Sequence, residues 1–216
     1  VISFAKDIAS GMGHLHAENI LHLDLACRNL LVAPKGKDEY TIKITDFGLS
    51  RVIDNDTYIA SKGSKFPVRW TAPETLSMRY ISRASDVWSY GVTIWELIEA
   101  SMPYAELDNE EVRTEVKNGK RLPRPTRIAI PDSLWTLMQS CWLSSPQQRP
   151  TFDSIFAHLC AIEKELDLAS SDEEDKPDDT EATPSKQEHA YYSERPVSIA
   201  ETARYYDEPK VPEYAD

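Results

Sequence analysis

Apolar residues recur at Ala5, Ile8, Met12 and Leu15, three or four apart, which lays them on one face of a helix near the start of the chain. Three short runs of aliphatic or β-branched residues follow, at 20–23, 30–33 and 41–45. They are too short for helices and read as strands. Further along the pattern is helical throughout: Val87, Tyr90, Ile94, Leu97 and Ile98; then Leu134, Leu137, Met138 and Cys141; then Phe152, Ile155, Phe156, Leu159, Ile162 and Leu166. Thr151 is the expected N-cap of the last segment. Pro103, Pro123, Pro125, Pro131, Pro146 and Pro150 stand between these segments, where residues that cannot continue a helix belong. The expected fold class is α+β, a mainly helical block with a small β insert.

The pattern stops near Leu166. All five Trp and all five Phe lie before residue 157, and residues 167–216 hold only Leu168, Val197, Ile199 and Val211 as branched aliphatics. Such a stretch cannot bury enough surface to offset its ordering entropy. The chain therefore divides into a folded block, 1–166, and an acidic disordered tail, 167–216. Of the net charge of −12, the tail carries −10. That balance argues against nucleic acid as a partner, because a phosphate-binding surface needs clustered Lys and Arg. No apolar run approaches the ~18 residues that span a bilayer, so no membrane segment is expected. Cys27, Cys141 and Cys160 are odd in number and match no metal-ligand spacing. They read as free thiols of a reducing compartment.

Three oxygen-bearing side chains, Asp24, Asn29 and Asp46, flank the strand runs and suit a hard cation such as Mg²⁺. Two strands joined through 34–40 would bring their loops to one sheet end. Asp46-Phe47-Gly48 alone is a weak signal, since a given tripeptide occurs by chance in roughly a few per cent of chains this long. In isolation it reads as a turn.

The order of motifs changes that reading. His22-Leu23-Asp24-Leu25-Ala26-Cys27-Arg28-Asn29 resembles the catalytic loop of protein kinases, Asp46-Phe47-Gly48 their metal-binding triplet, and Ala72-Pro73-Glu74 the end of their activation segment. Ser85-Asp86-Val87-Trp88-Ser89-Tyr90-Gly91, Cys141-Trp142 and Arg149-Pro150-Thr151-Phe152 follow in the same order. The resemblance covers residues 1 to about 166 and implies a protein-kinase-like fold. Arg28, four residues after Asp24, resembles the tyrosine-kinase loop rather than the serine/threonine one. Phe66, Pro67, Val68, Arg69 and Trp70 look like the tyrosine-kinase substrate platform.

By that resemblance Asp24 would accept or orient the substrate hydroxyl proton and Arg28 would balance charge beside it. Asn29 and Asp46 would hold Mg²⁺ on the ATP phosphates. Leu31 would form the apolar floor under the adenine, with a plain strand-core role equally open. His22 and Phe47 would pack as core elements, with Gly48 completing the triplet. Glu74 and Arg149 resemble the family's buried ion pair. Asp86, at the start of an apolar helix, could serve as an N-cap, but it resembles the residue that braces the family's catalytic loop, and the surrounding motif favours that bracing role.

Two departures stand out. Active kinases use a Gly-rich loop over the phosphates and an upstream Lys–Glu pair. Here only seven glycines occur, and Gly11-Met12-Gly13-His14-Leu15-His16 lacks the third Gly and lies inside a helical repeat. The chain is expected to be the larger lobe and tail of a tyrosine kinase, a fragment that does not turn over ATP by itself. Second, Leu23 stands where the family usually has an Arg that pairs with a phosphorylated activation-loop tyrosine. Phosphorylation of Tyr58 is therefore expected to matter less than in relatives with Arg, unless Arg51, Lys62 or Lys65 supplies the cation. Cys27, where Ala is commoner, reads as core filling.

Half of the ten tyrosines lie in the tail. Tyr192, Tyr206 and Tyr214 sit among acidic residues, and phosphorylation would present them to the Arg-lined pockets of phosphotyrosine-binding adaptor domains. The alternative is a solvated tail with incidental tyrosines. Pro209-Lys210-Val211-Pro212 is a weak polyproline pattern. The expected function is protein tyrosine kinase, using ATP and Mg²⁺ on tyrosine-bearing protein substrates. Its site is the cytoplasm, or the cytoplasmic face of the plasma membrane for a receptor-type parent. The competing class is a kinase-like scaffold whose tail docks partners; a glycosidase-like use of Asp24 and Asp46 is a distant third.

Overall fold

The structure is a computed structural model that describes residues 1–53, 57–61 and 63–174, with side chains as far as 169. Helix α1, Ile2–Ala17, buries Ala5, Ile8, Ala9 and Met12, the face that the periodicity selects. Strand β1, Ile20–Leu21, is shorter than the run at 20–23, because Leu23 takes a left-handed backbone (φ 67°) and cannot continue it. Strands β2, Leu30–Gly36, and β3, Glu39–Ile44, form an antiparallel hairpin in which Leu30 pairs with Ile44 and Pro34 with Tyr40. Leu30, Val32, Ile42 and Ile44 face the core. The hairpin lies so close to α1 that a Cβ on Gly11 would stand 2.9 Å from Ile44 Cδ1.

Three further short strands follow: β4, Arg51–Val52, β5, Thr57–Ile59, and β6, Tyr80–Ser82. β4 pairs with β1, and β5 with β6, all antiparallel. The β insert is thus three separate two-stranded sheets among the described residues. Strands of two or three residues are too short to show alternation, so only the partner brought by the fold defines them.

Helix α2, Pro73–Met78, starts with Pro at its first position, where a missing N–H costs nothing. Helix α3, Arg83–Glu99, is buried on nearly every side. Helix α4, Asn109–Lys117, has a reciprocal cap: Asp108 accepts from the Glu111 N–H and Glu111 accepts from the Asp108 N–H, both at 2.8 Å. Helices α5, Asp132–Cys141, and α6, Phe152–Glu174, complete the block. The Thr151 hydroxyl accepts the Ser154 N–H at 3.3 Å, as its expected cap role requires.

The core gathers Ile8 and Met12 of α1, Trp88, Ile94 and Ile98 of α3, Leu134 and Met138 of α5, and Ile155 and Leu159 of α6. A smaller cluster joins Leu21, Ile53, Ala60 and Ile81, with Leu23 and Phe66 packed against it. Helix α6 runs eight residues past the boundary at Leu166; no proline interrupts it before 177, and Leu, Ala and Glu in that stretch have good helix propensity. Among the described side chains, Ile162 is the last one buried in the core. The remainder of the tail lies outside the described residues. Among those described, no helix is long and apolar enough to cross a membrane.

Candidate active site

The segment from His22 to Asn29 has little regular structure and is held by α3. Asp86 accepts the His22 N–H and the Leu23 N–H, each at 2.9 Å, and lies 2.9 Å from His16 Nε2. Two turns on, Thr93 Oγ1 donates to the Leu25 carbonyl at 3.1 Å. Glu96 Oε2 accepts the Cys27 N–H at 3.0 Å. The N-cap of α3 is Ser82, whose own N–H donates to Ser85 Oγ at 3.1 Å. Asp86 therefore spends both oxygens on the loop rather than on capping the helix. His22 is fully buried: its Nε2 donates to the Thr45 carbonyl at 3.1 Å, and its Nδ1 accepts the Asp24 N–H at 3.3 Å. With both nitrogens engaged, it offers no base to a substrate.

The loop ends in a 3-10 turn, Cys27–Asn29, that leads into β2. Arg28 reaches back one turn to form an ion pair with Asp24 Oδ1. The Asn29 Nδ2 donates to the Asp24 carbonyl at 2.7 Å, so the amide oxygen is the end of Asn29 that remains for a cation. Asn29 precedes β2 and Asp46 follows β3, and the pairing of Leu30 with Ile44 puts both at the same hairpin end. Thr45 closes that end by donating its N–H to the Asn29 carbonyl at 2.9 Å and its hydroxyl at 3.1 Å.

Asp46 is exposed and left-handed (φ 61°), with Oδ1 accepting the Gly48 N–H at 3.1 Å. Among the described residues no group of three or more His, Cys, Asp or Glu could hold an ion by itself. A site with one amide and one carboxylate oxygen fits Mg²⁺, which keeps waters and takes phosphate oxygens as its other ligands. These donors suit Mg²⁺ bound together with a nucleotide.

The segment from Phe66 to Trp70 lies beside the loop. Val68 and Trp70 are buried and Phe66 and Pro67 half-buried. The Arg69 guanidinium donates to the carbonyls of Pro103, Tyr104 and Leu107 at 3.0, 2.5 and 2.6 Å, and burial pulls its pKa down. It fastens this segment to the turn before α4. The Trp70 ring lies under the Arg28 guanidinium, 4.8 Å from its centroid. Behind it, Glu74 and Arg149 form the buried pair. Leu23 packs with Leu21, Ile53, Ala60, Ile81 and Phe66. Tyr58 is paired with Ile81 and 38% exposed. Arg51 Nη1 is engaged with the carbonyls of Leu49 and Ser50; Lys62, Tyr192, Tyr206 and Tyr214 lie outside the described residues.

Two expectations need correction. Phe47 is 50% exposed and touches the His22 ring at 5.3 Å between centroids; it is not a core residue, because no described element covers its outer face. Leu31 is 58% exposed, which removes the strand-core reading. Strand alternation turns it outward between the inward Leu30 and Val32.

Sequence reasoning passed over Ser89, Thr93 and Glu96, although a signal was present. Asp86, Ser89, Thr93 and Glu96 recur at intervals of three and four through the buried middle of a helix whose other residues there are apolar or Gly, apart from Tyr90. A polar stripe on a buried helix must find partners, and this one finds them in the catalytic loop and the platform.

A family model described as protein tyrosine and serine/threonine kinase matches residues 1–159. Over 169 residues the chain is 41% identical to the tyrosine-protein kinase Srms of Mus musculus, covering 78% of this chain and 33% of that protein. It is 42% identical over 154 residues to the tyrosine-protein kinase Src64B of Drosophila melanogaster, covering 71% and 27%. It is 40% identical over 161 residues to ephrin type-A receptor 1 of Homo sapiens, covering 74% and 16%. The chain thus spans a third or less of the length of these relatives.

Proposed function

The chain belongs to the protein tyrosine and serine/threonine kinase family, and we propose that it supplies the catalytic loop and substrate platform of a protein that transfers the γ-phosphate of ATP to tyrosine hydroxyls of other proteins. The observation that carries this reading is the hairpin end where Asn29, Asp46 and the Asp24 backbone converge. Asp24 orients the tyrosine hydroxyl and takes its proton, and Arg28 balances the charge of Asp24. Asn29 and Asp46 are the ligands for Mg²⁺, which when bound neutralises the ATP phosphate oxygens. Leu31, exposed on the same hairpin, offers an apolar surface for the adenine.

The platform reaches the substrate with Phe66, Pro67 and its backbone, while Arg69 and Trp70 hold it in place. The chain by itself does not turn over ATP, since its seven glycines form no phosphate-covering loop. The tail tyrosines Tyr192, Tyr206 and Tyr214, once phosphorylated, dock adaptor domains. The protein acts in the cytoplasm or at the cytoplasmic face of the plasma membrane.

The test is phosphate transfer from Mg·ATP to a tyrosine peptide by the protein with its native upstream sequence, with Asp24→Asn as control. Transfer that disappears in the variant supports the reading. A second reading, a scaffold without catalysis, is favoured by Leu23 sitting in an apolar cluster rather than at a phosphate site. Absence of both transfer and Mg·ATP binding would select it.

A further inference from the structure

Glu96 is 1% exposed, and a buried carboxylate is costly unless its position is needed or its hydrogen bonds are complete. One of its oxygens, Oε2, accepts from two segments that are distant in sequence: the Cys27 N–H of the catalytic loop at 3.0 Å and the Trp70 Nε1–H of the platform at 2.9 Å. The Trp70 ring in turn lies under the Arg28 guanidinium, 4.8 Å away, and Arg28 is paired with Asp24. A continuous chain of contacts therefore runs from the buried end of α3 to Asp24. Nothing in the ordinary packing of a helix requires a single acceptor atom to serve both the loop and the indole.

Resting on the kinase reading above, we propose that Glu96 is a positioning residue that locks the catalytic loop and the substrate platform to one atom, so that Arg28, resting on Trp70, holds Asp24 in its working orientation. The two neighbours on the same stripe confine the effect. Thr93 Oγ1 anchors the Leu25 carbonyl, and Ser89 Oγ anchors the Trp70 carbonyl at 2.8 Å. Those bonds fix the backbones of the two segments; Glu96 alone also fixes the indole on which Arg28 lies. Loss of Glu96 is thus expected to leave the segments folded while the Arg28–Asp24 pair drifts. A displacement near 1 Å at such a site costs about 10²-fold in rate.

The experiment compares Glu96→Ala and Glu96→Gln in the protein with its native upstream sequence. It reads kcat and KM for a tyrosine peptide and for ATP, and residue-resolved hydrogen exchange at Cys27 N–H and Trp70 Nε1–H. Because both bonds meet one oxygen, the glutamine carbonyl can accept both. Glu96→Ala is expected to lose about 10²-fold in kcat with KM for ATP unchanged, and to release both N–H groups by at least about tenfold. Glu96→Gln is expected to stay within about threefold of the parent in kcat, since its carbonyl oxygen still accepts from the Cys27 N–H and the Trp70 Nε1–H.

A Glu96→Ala kcat within about threefold of the parent, or a Glu96→Gln as impaired as Glu96→Ala, overturns the proposal. If Glu96→Ala does not fold, replacing Trp70 with its benzothiophene analogue, β-(3-benzothienyl)alanine, keeps the bicyclic ring and exchanges only the indole N–H for sulfur; an unchanged kcat then overturns it. If the parent transfers no phosphate, the kinase reading has failed, and exchange alone decides. Release of both N–H groups together sustains the lock, and release of Cys27 alone refutes it.

Discussion

Arg149 and Glu74, 75 positions apart, meet in a buried two-pronged ion pair, with Nη1 donating to Oε1 at 2.7 Å and Nη2 to Oε2 at 2.8 Å. Two further guanidinium donors are used: Nη1 also reaches the Ala84 carbonyl and Nε the Leu143 carbonyl, both at 2.9 Å. The pair joins the start of α2 to the turn before α6 and lies against the Trp88 ring. Arg149→Met is expected to destabilise the fold by about 3–5 kcal/mol, because it strands a buried carboxylate. Glu74→Gln combined with Arg149→Met should cost less than the two single changes added together. Denaturant unfolding of the four proteins checks this; strict additivity would show that the two residues act independently.

Gly91 is the point of closest approach between α3 and the end of α5. A Cβ there would stand 2.6 Å from Trp142 Nε1 and 2.9 Å from Cys141 Cβ, and neither neighbour is the tip of a flexible side chain. Gly91→Ala is therefore expected to destabilise by about 1–3 kcal/mol, despite the better helix propensity of alanine. A raised melting temperature would contradict the packing argument.

Leu23 places an apolar side chain where the family usually has an arginine, so phosphorylation of Tyr58 is expected to matter less than in relatives with that arginine. Leu23 packs in an apolar cluster with Leu21, Ile53, Ala60, Ile81 and Phe66, and its side chain offers no cation to a phosphate on Tyr58. Tyr58→Phe is expected to change the activity of the protein with its upstream sequence by less than about threefold, since no charge-assisted bond is lost. Leu23→Arg should destabilise the unphosphorylated form and make activity depend on Tyr58. Strong activation of the parent on phosphorylation, lost in Tyr58→Phe, would refute this.

Burial holds several acids in their neutral forms. The Cys141 thiol is pushed up to about 12 by desolvation, and desolvation is likewise the main cause of the raised values of Cys27 and of the Tyr90 and Tyr104 phenols. In each case the folded value exceeds the unfolded one. The full contribution to stability is present below about pH 9 and is lost as pH rises, at about 1.4 kcal/mol per pH unit for each group in its window. Melting temperature against pH should thus fall steadily above pH 9. At pH 8, Cys141 should also resist alkylation, since its thiolate fraction is about 10³-fold lower than in the unfolded chain.

Much of the architecture could be read from single residues because it is local. Helices α1, α3, α5 and α6 follow from apolar spacing, and their proline-bearing connectors from chain stereochemistry. The hairpin β2–β3 was legible from two apolar runs and the connection between them. Helix α4 left a trace in the cap formed by Asp108 and Glu111, which was overlooked. Strands β4, β5 and β6 left none, because two or three residues carry no period and their partners lie 21 to 32 positions away.

The same division holds at the site. The sequence by itself determined the family, the order of the motifs, the candidates Asp24, Asn29 and Asp46, and the odd residue Leu23, because these are matters of residue type and linear spacing. Only the tertiary structure decided that Asp86 braces the loop rather than caps a helix, that Leu31 and Phe47 face outward, that Arg69 ties down carbonyls, and that Glu96 receives Cys27 and Trp70 on one oxygen. Each of those facts depends on what stands opposite a side chain in space. Spacing along a chain specifies which face a residue occupies, but the partner across that face is chosen by the packing of elements far apart in sequence.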